Sequence, residues 1–513
     1  MSDDAAQPAD HDQLTLVWFR DDLRVDDHEA LTAARTDGQV IGIWIREQRD
    51  ADGLGPRPLG AAARWWAHES LRTLETALDE LGITLLFAAG PAADIIPQAA
   101  ADLGVDTVRW SRRYTPASRA LDAQIKTLLT DAGTAAHSHT GALLVEPWTV
   151  SPQSGDFYKV FTPFFNAVRD RKVGDVLPAP AKQSPSDTRR QSLNEHDWAS
   201  DLDGLGLRDG TGHRNESGTD SGGTDTASDG TDTGIDGTTS ARVPQWWKST
   251  VAQHWSPGCR EAQRQLQGLG ESIDGYGDSH DVPGDPDSTS ALSPRLRFGE
   301  LSPRQALAAA LDLPDISDDD RYTWIRQLYW REFSWHLTYH LPHIETEPMR
   351  PEFARFPYED DPEALKHWQN GTTGIPLVDA GMAQLWQTGW MHNRVRMATA
   401  SFLTKNLLIH WWHGEQWFWD TLVDADEANN PVSWQWVAGC GADAAPYFRI
   451  FNPERQRERF DPHGEYVKLW LGQGPGGLTQ AERTGGDCEP SVDLKASRQA
   501  ALAAYDRMKA ESD

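Results

Sequence analysis

Residues 14–145 alternate between apolar runs and helical patterns. Residues 61–81, for example, carry apolar side chains at helical spacing. Four continuous apolar runs predict strands buried on both faces, at residues 14–19, 40–45, 85–87 and 105–110. Strands that alternate with helices predict a doubly wound, parallel, Rossmann-like sheet, so we expect an α/β domain over residues 14–146. No G-x-G-x-x-G motif follows the first run, so a standard dinucleotide site is not indicated there.

From residue 244 onward the apolar spacing is helical. Apolar side chains recur every three or four positions in four segments, at 322–341, 375–387, 391–408 and 415–422. This pattern predicts a larger, all-helical domain over residues 244–471. A C-terminal tail follows at 472–513, in which the pattern at 494–509 predicts a short surface helix.

Residues 147–243 join the two predicted domains and show little periodicity. The centre of this connector, 209–240, is almost wholly Gly, Thr, Asp and Ser. Such a composition cannot bury enough apolar surface to offset the entropy of ordering the chain. We therefore predict a disordered acidic insertion without a catalytic role. Residues 1–13 are predicted to be a polar tail.

The formal net charge is −29 and the isoelectric point is near 4.9. An acidic surface repels phosphate, so any nucleic-acid site must be a local concentration of arginine. Only 10 of the 48 basic residues are lysines. Strong acidity with few lysines is typical of a halophilic protein from a salt-rich cytosol, where screening makes a large charge tolerable. An ordinary acidic enzyme is the alternative.

The three cysteines, Cys259, Cys440 and Cys488, are widely spaced and form no C-x-x-C pair. Neither a disulfide framework nor a zinc site is indicated, and we predict no metal site. The N-terminus has no basic start with an apolar core, and no apolar run reaches the length of a membrane span. We expect a cytoplasmic monomer.

The most unusual stretch is 390–456. It contains W-M-H-N-R-V-R-M, D-A-D-E-A-N-N-P-V-S-W-Q-W and D-A-A-P-Y-F-R-I-F-N-P-E-R-Q. Buried carboxylates, paired arginines and clustered tryptophans indicate a site for a large, flat, partly anionic ligand, such as a flavin beside a nucleobase. Two arginines and an amide at 393–396 stand at a predicted helix start, where they can bind an anion. A solvated helix face is the alternative, but Asp424 and Asp426 favour a ligand site because an Arg paired to Asp beside a ligand explains both.

Twelve of the 23 tryptophans lie between Trp324 and Trp436. Core packing explains most of them, while a platform for an extruded base and a path for an electron are functional alternatives that spacing does not separate. The segment 289–294 is rich in small hydroxyl residues and precedes a helix predicted near Pro303. Such a segment can bind phosphate, although capping is the commoner use of Ser and Thr.

With these motifs the chain resembles the photolyase/cryptochrome family, and most closely the class I cyclobutane pyrimidine dimer photolyases. Besides the stretch at 390–456, the matching motifs are L-V-W-F-R-D-D-L-R-V-D-D at 16–27, Y-K-V-F-T-P-F at 158–164, S-A-L-S-P-R-L at 290–296 and W-R-E-F at 330–333. The resemblance implies an α/β antenna domain followed by a helical domain that holds a U-shaped FAD.

The resemblance also implies which residues contact FAD. On the diphosphate side these are Tyr276, Thr289, Ser290, Ala291, Leu292 and Ser293. Around the ribityl chain and the flavin ring they are Asn393, Arg396, Asp424, Ala425, Asp426 and Asn430. Arg396 is expected to pair with Asp424. Asn430 falls where the family places a residue against flavin N5; an amide there resembles the repair enzymes, whereas plant cryptochromes carry an acid.

By the same resemblance, UV-damaged DNA is the partner. Trp330 and Trp436 form the walls of a pocket for the extruded dimer, and Gln327 and Met397 form its floor. The groups that bind the surrounding DNA are Arg331, Asn393, Arg394, Arg449 and Gln456. In the implied reaction, photoexcited reduced FAD donates an electron to the dimer, the cyclobutane ring splits and the electron returns, while the protein extrudes the damaged dinucleotide.

Two features depart from the family or stay open. Trp434 and Trp411 match the first two members of the family's electron-transfer chain, but Tyr358 stands at the surface end, where a third tryptophan is usual. The implied second, antenna chromophore is either 8-hydroxy-5-deazaflavin or methenyltetrahydrofolate.

Two other functions remain alternatives to dimer repair. One is a cryptochrome-type blue-light photoreceptor that uses the same FAD; Trp330, Trp436 and Asn430 favour repair instead. The other is repair of (6-4) photoproducts, which relies on histidines near the lesion. His392 is followed by an asparagine, so the usual histidine pair is not reproduced.

Overall fold

The computed structural model describes residues 13–50, 52–153, 155–183, 196–208, 250–443, 448–472 and 492–511. Most of the predicted N-terminal tail and all of the predicted acidic insertion lie outside these ranges.

A six-stranded sheet forms the first domain. Its strands are β1 (Gln13–Phe19), β2 (Gly38–Glu47), β3 (Thr84–Gly90), β4 (Thr107–Ser111), β5 (Ala135–His139) and β6 (Ala199–Ser200). They lie in the order β5-β4-β1-β2-β3-β6, and all pairs are parallel except β3 with β6. The four predicted strands are present. β5 was not predicted because its sequence, A-A-H-S-H, lacks an apolar run and is only partly buried.

Helices cover both faces of the sheet. They are α1 (Glu29–Asp37), α2 (Ala61–Glu80), α3 (Ala92–Leu103) and α4 (Pro116–Asp131). Val17 of β1 packs in one core with α1 and α2, while its neighbours Leu16 and Trp18 pack in a second core with α3 and α4. Successive residues of a strand point to opposite faces of the sheet, and both faces are buried here. Apolar residues are therefore required on both faces, which explains the continuous apolar runs in the sequence. The predicted doubly wound sheet is confirmed.

The connector contributes to both domains. After a 3-10 turn (Pro147–Thr149), helix α5 (Phe161–Val168) buries Phe161 and Phe165 against the helical domain, and β6 extends the sheet. Neither element was predicted, because two turns of helix and two residues of strand are too short to establish a periodicity.

The second domain is helical over its described residues. It contains α6 (Val251–His254), α7 (Cys259–Gln267), α8 (Leu269–Ile273), α9 (Tyr276–Ser279), α10 (Ser293–Arg297), α11 (Pro303–Asp312), α12 (Asp318–His340), α13 (Pro362–Asn370), α14 (Pro376–Thr388), α15 (Asn393–Ser401), α16 (Trp411–Thr421), α17 (Asn429–Ala438), α18 (Pro453–Phe460), α19 (Glu465–Leu471) and α20 (Leu494–Ala510). A 3-10 turn (Pro351–Arg355) and a π-helical turn (Phe402–Asn406) complete it.

Local sequence determines where the helices of the candidate site begin. Ser317 caps α12 by accepting a hydrogen bond from the Asp320 N–H, and three aspartates follow in the first turn, where the helix dipole favours them. His392 and His410 cap α15 and α16 in the same way, each through Nδ1. These caps orient the first turns of α15 and α16.

The C-terminal helix α20 is more than the predicted surface element. Its Ala501, Ala504 and Met508 side chains are buried in the core of the helical domain. The Tyr505 ring stacks on Phe448 with centroids 4.5 Å apart. The sequence did not predict this burial because alanines give only a weak amphipathic pattern, although their small side chains let the helix approach the core closely.

The two domains meet at a tightly packed seam. Asp27 binds Ser302 and Arg304 of the helical domain. Gly299 has a φ of 61°, and a Cβ there would lie 2.2 Å from the Asp21 carbonyl oxygen, so a side chain is excluded. The loop after β2 also sends Arg57 into the helical domain. The seam therefore fixes one domain against the other beside the candidate site. Within the described ranges, no helix is both long and apolar enough to cross a membrane.

Candidate cofactor and nucleic-acid site

A buried ion pair lies at the centre of the candidate cofactor site. Arg396, in the first turn of α15, donates two hydrogen bonds to Asp424, of 3.1 and 2.8 Å. Ser293 Oγ donates to the same carboxylate at 2.6 Å. The Asp424 side chain is only 3% exposed, whereas that of Arg396 is 25% exposed. The carboxylate is thus fully engaged, and part of the guanidinium stays accessible to a ligand.

The Asn430 amide is held by a second buried network. Its Nδ2 donates to the Glu415 carbonyl oxygen at 3.0 Å and to Glu415 Oε1 at 2.7 Å. Arg57, from the α/β domain, donates to the same carboxylate at 2.7 and 3.2 Å. Because Glu415 uses the Asn430 N–H groups, the Asn430 Oδ1 is the atom offered to a ligand.

Asp426 has a structural role in this arrangement. One of its carboxylate oxygens accepts from the Ala428 and Asn429 N–H groups, and the other accepts from the Asn429 side chain. These bonds close the turn before α17. Ala425, also buried, accepts from the Arg297 Nε through its carbonyl oxygen.

On the predicted diphosphate side, the loop before α10 is held by its neighbours. Trp324 Nε1 donates to Ser290 Oγ at 3.3 Å, and Gln265 Nε2 donates to the Ser290 carbonyl oxygen at 2.7 Å. Ala291 has a left-handed φ of 46°, which L-residues rarely adopt. Thr289, Ser290 and Ser293 are at least partly accessible, whereas Leu292 and Tyr276 are buried.

Of the three predicted electron-path residues, Trp411 and Trp434 lie on the adjoining helices α16 and α17, and Tyr358 lies in the loop before α13. Trp411 and Trp434 are buried, and Tyr358 is partly exposed. The ring centroid of His410 lies 5.5 Å from that of Trp411 and 4.6 Å from that of Tyr358, so His410 joins them. Burial raises the pKa of Tyr358 well above 10, which keeps its phenol neutral. His410 was not predicted, because it and Tyr358 lie on two loops that are distant in sequence, and no local motif links them.

Both predicted lesion-facing tryptophans are partly exposed and rest on an aromatic ring. Trp330 of α12 stacks on Phe161 with centroids 3.7 Å apart and planes within 8°. Trp436 of α17 stacks on Phe451 at 6.0 Å. Each stack fixes the orientation of an indole. Gln327 is exposed one turn before Trp330 on α12.

Met397 and Asn393 lie one turn apart on α15. Met397 is partly buried, and its sulfur lies 4.0 Å from Asn393 Nδ2. Asn393 is exposed. The first turn of α15 therefore exposes the Asn393 amide to solvent, and the adjacent Met397 sulfur packs toward the core.

The predicted DNA-binding groups differ in how far protein atoms already satisfy them. Arg394 makes a two-pronged ion pair with Asp281, and Arg331 donates to Glu332 at 3.3 Å. Arg449 is exposed. Gln456 Oε1 is buried without a hydrogen-bond partner among the described residues. A phosphate would therefore compete with a carboxylate at Arg331 and Arg394, whereas no ion pair of Arg449 is found among the described residues. Asp281 could not be found from sequence, since it lies 113 positions before Arg394.

Burial shifts the protonation of three groups around the site. It raises the pKa of Glu332 to about 7, although Arg331 and two backbone N–H groups oppose the shift. Burial and the neighbouring Glu345 raise the pKa of Glu427 to about 7. Burial lowers the pKa of His392 to about 4, so its ring is neutral and its Nδ1 can cap α15.

These donors fit a flavin. A partly accessible guanidinium, an amide oxygen held from behind and a hydroxyl-lined loop can bind a polar ring edge and an anionic chain. Arg57 and Glu415 complete this set but were not predicted, because no local motif links two residues that lie 358 positions apart.

Family sequence models match both parts of the chain. Residues 15–184 match the family described as DNA photolyase, and residues 324–476 match the FAD binding domain of DNA photolyase. The chain is 40% identical to the deoxyribodipyrimidine photo-lyase of Agrobacterium fabrum, over 89% of this chain and 86% of that protein. It is 32% identical to Arabidopsis thaliana cryptochrome-2, over 90% of this chain and 70% of that protein.

Solved structures show the same similarity. A bacterial class III photolyase from Agrobacterium tumefaciens superposes with a TM-score of 0.81 at 36% identity, over 99% of both chains. An archaeal photolyase from Sulfolobus tokodaii, described with two FAD molecules and a novel light-harvesting cofactor, superposes with a TM-score of 0.73 at 25% identity, over 96% of this chain and all of that one.

Proposed function

The chain belongs to the photolyase/cryptochrome family and carries its FAD-binding domain, and we propose that it is a light-driven DNA repair enzyme that splits cyclobutane pyrimidine dimers. The observation that carries this proposal is the pair of partly exposed tryptophans, Trp330 and Trp436, each fixed on an aromatic ring. Indole faces held in this way suit stacking against two adjacent, covalently joined bases that have left the duplex.

Within this function, FAD when bound and fully reduced supplies the electron that cleaves the dimer after light absorption. The Arg396–Asp424 pair and the Asn430 amide orient the cofactor, and Glu415 holds that amide in place. Trp330 and Trp436 hold the dimer, and Arg394 and Arg449 bind the phosphates around it. Trp434, Trp411 and Tyr358 would relay an electron from a reductant in solution to FAD that has become oxidised.

A second chromophore in the α/β domain is part of the proposal. The Sulfolobus structure, described with a light-harvesting cofactor, supports such a role in a relative. 8-Hydroxy-5-deazaflavin and methenyltetrahydrofolate are the two candidates, and the absorption spectrum of the purified protein distinguishes them. Assignment to class I also remains a prediction, since the Agrobacterium structure is of class III. We further propose that the protein acts as a cytoplasmic monomer in a salt-rich cell.

The two rival functions are weighed on different observations. Similarity to plant cryptochromes supports the photoreceptor function. Residue 430, however, is an asparagine, and the family resemblance implies an amide at this position in the repair enzymes. Repair of (6-4) photoproducts needs an accessible histidine, whereas His392 is buried and uses Nδ1 to cap α15. Both observations favour repair of cyclobutane dimers.

Binding in the dark tests the proposal. We expect the wild-type protein to bind a duplex with one thymine dimer more tightly than the undamaged duplex, and Trp330→Ala to lose about 1–3 kcal/mol of that preference. Arg72→Gln, an exposed change on α2, serves as the control. Equal affinity of the wild-type protein for both duplexes would support the photoreceptor.

A further inference from the structure

We propose that Tyr322 and Arg326 form an additional DNA subsite beside the lesion pocket. In this subsite Arg326 binds a backbone phosphate of the strand flanking the dimer, and the Tyr322 ring contacts the adjoining sugar or base. The subsite rests on the proposed function, and neither residue belongs to the set implied by the family resemblance.

Helix geometry places the two residues next to the lesion-facing side chains. Tyr322, Arg326 and Trp330 are spaced four residues apart on α12, so they lie one above the other along one side of the helix. Gln327 follows Arg326 directly. A DNA strand entering the Trp330 pocket would pass these positions within about 12 Å along the helix axis.

An aromatic stack connects the pocket to the proposed subsite. Phe161, which supports Trp330, stacks on Phe165 with centroids 5.6 Å apart. Phe165 in turn meets the Tyr322 ring edge-to-face at 5.8 Å. The side chain of Tyr322 is nevertheless 43% exposed. This stack supports a tyrosine that projects toward solvent, as a nucleic-acid contact requires.

The Arg326 guanidinium is held against the same rings. Its Cζ lies 5.5 Å from the Phe161 centroid, 5.7 Å from Tyr322 and 6.0 Å from Phe165. Its Nε is buried and has no hydrogen-bond partner among the described residues. Rings on several sides restrict the side chain while leaving its N–H groups to bind something else.

Charge distinguishes Arg326 from two arginines of the predicted DNA-binding set. Arg331 and Arg394 each have a carboxylate within ion-pair distance, whereas no ion pair of Arg326 is found in the described part of the chain. In a protein of net charge −29, a restrained guanidinium without a carboxylate is a group to which a phosphate can bind without displacing a protein partner. A backbone phosphate of the extruded strand fits both its position and its charge.

The salt dependence of binding tests this subsite. Affinities for dimer-containing and undamaged duplexes are measured by fluorescence anisotropy across a series of salt concentrations. Removal of one phosphate contact should lower the slope of log affinity against log salt by about 0.9. We expect this change for Arg326→Gln on both duplexes, with affinity reduced about tenfold at low salt. Arg326→Lys, which keeps the charge, should retain the slope.

Two further variants complete the experiment. Tyr322→Leu should weaken binding several-fold without altering the slope, because it removes a ring and no charge. Arg72→Gln, with its guanidinium exposed on α2, should leave affinity and slope unchanged. If Arg326→Gln matches the wild-type protein in slope and affinity, the subsite is wrong. If the wild-type protein instead binds both duplexes equally, the proposed function is wrong, and the slope of Arg326→Gln still decides the subsite.

Discussion

Among individual residues, burial decides which form of each side chain the candidate site contains. His392 and His410 can cap helices only while Nδ1 is unprotonated, and burial lowers the pKa of both to about 4. Their contribution to stability is therefore complete above about pH 6.5 and is lost as the pH falls toward 4. Glu332 has the opposite pH dependence: it stabilises the fold at low pH, because burial raises its pKa.

Glu332→Gln tests that opposite direction. The folded-state pKa of Glu332 is about 7 and the unperturbed value is 4.5, so the fold favours the protonated acid. The contribution of protonated Glu332 to the free energy of unfolding is therefore complete below about pH 4.5 and is lost as the pH rises to about 7. The wild-type protein should therefore lose up to about 3 kcal/mol of unfolding free energy relative to the glutamine variant between pH 4.5 and 7. Melting temperatures at several pH values check this, and a constant difference would count against it.

Asp424→Asn tests the Arg396–Asp424 pair. The change leaves a buried amide opposite a guanidinium and removes the anchor of Ser293. We expect at least a tenfold loss of FAD affinity, about 1.4 kcal/mol, with the fold retained. Flavin content of the purified protein and titration with FAD measure it. Glu352→Gln, which breaks the half-exposed pair with Arg350, is the matched control and should keep its flavin.

Residue patterns predicted one part of the site and not the other. The Arg396–Asp424 pair was predicted, because both residues stand in compact motifs that carry the family resemblance, and the structure shows it. The partners of the remaining groups, such as Asp281 for Arg394 and Arg57 for Glu415, depend on distant segments meeting in space. No periodicity or local spacing encodes such contacts.

Among helices and strands, close packing of α16 on α17 positions the inner tryptophan. Gly414 of α16 lies where a Cβ would come 2.1 Å from Trp434 Cη2 of α17. The indole thus occupies space that only a glycine leaves open.

Gly414→Ala should push these helices apart. We expect a loss of about 1–3 kcal/mol of unfolding free energy, as for other overpacked cores. Differential scanning calorimetry measures the loss. Gly268→Ala is the control, since a Cβ there has only ordinary contacts, the nearest at 3.7 Å, and φ is −83°. Equal effects of the two changes would mean that Trp434 does not depend on the glycine.

Trp434→Phe tests the proposed electron path across these helices. We expect light to reduce oxidised FAD at least tenfold more slowly, because the inner indole is removed, while repair by chemically reduced enzyme continues. Absorption spectroscopy under illumination follows the reduction. Trp255→Phe, at the domain seam, is the control. Loss of both photoreduction and repair would indicate that Trp434 is structural.

Elements with a strong periodicity were predicted, and short or polar ones were not. Strands β1 to β4 and helix α12 follow continuous or helical apolar patterns. The segment predicted as one helix over 391–408 is α15 followed by a π-helical turn at Phe402–Asn406. The apolar positions continue through that turn, so periodicity alone could not locate it.

For the whole molecule, the seam between the domains and the acidic surface set the conditions for function. Arg57 crosses the seam to the carboxylate that holds Asn430, so the α/β domain takes part in shaping the cofactor site. The net charge of −29 opposes DNA, so the proposed DNA binding depends on a local concentration of arginine around Trp330 and Trp436. Specificity for a lesion must then come from the pocket rather than from bulk charge.

Light-driven repair by the reduced protein decides whether this pocket is catalytic. Fully reduced wild-type enzyme is mixed with one duplex that contains a thymine cyclobutane dimer and another that contains a (6-4) photoproduct, and each is illuminated or kept dark. We predict that intact thymines return only in the illuminated dimer sample. Dimers that persist in the light would contradict repair, and restoration of the (6-4) lesion alone would assign the protein to the other repair reaction.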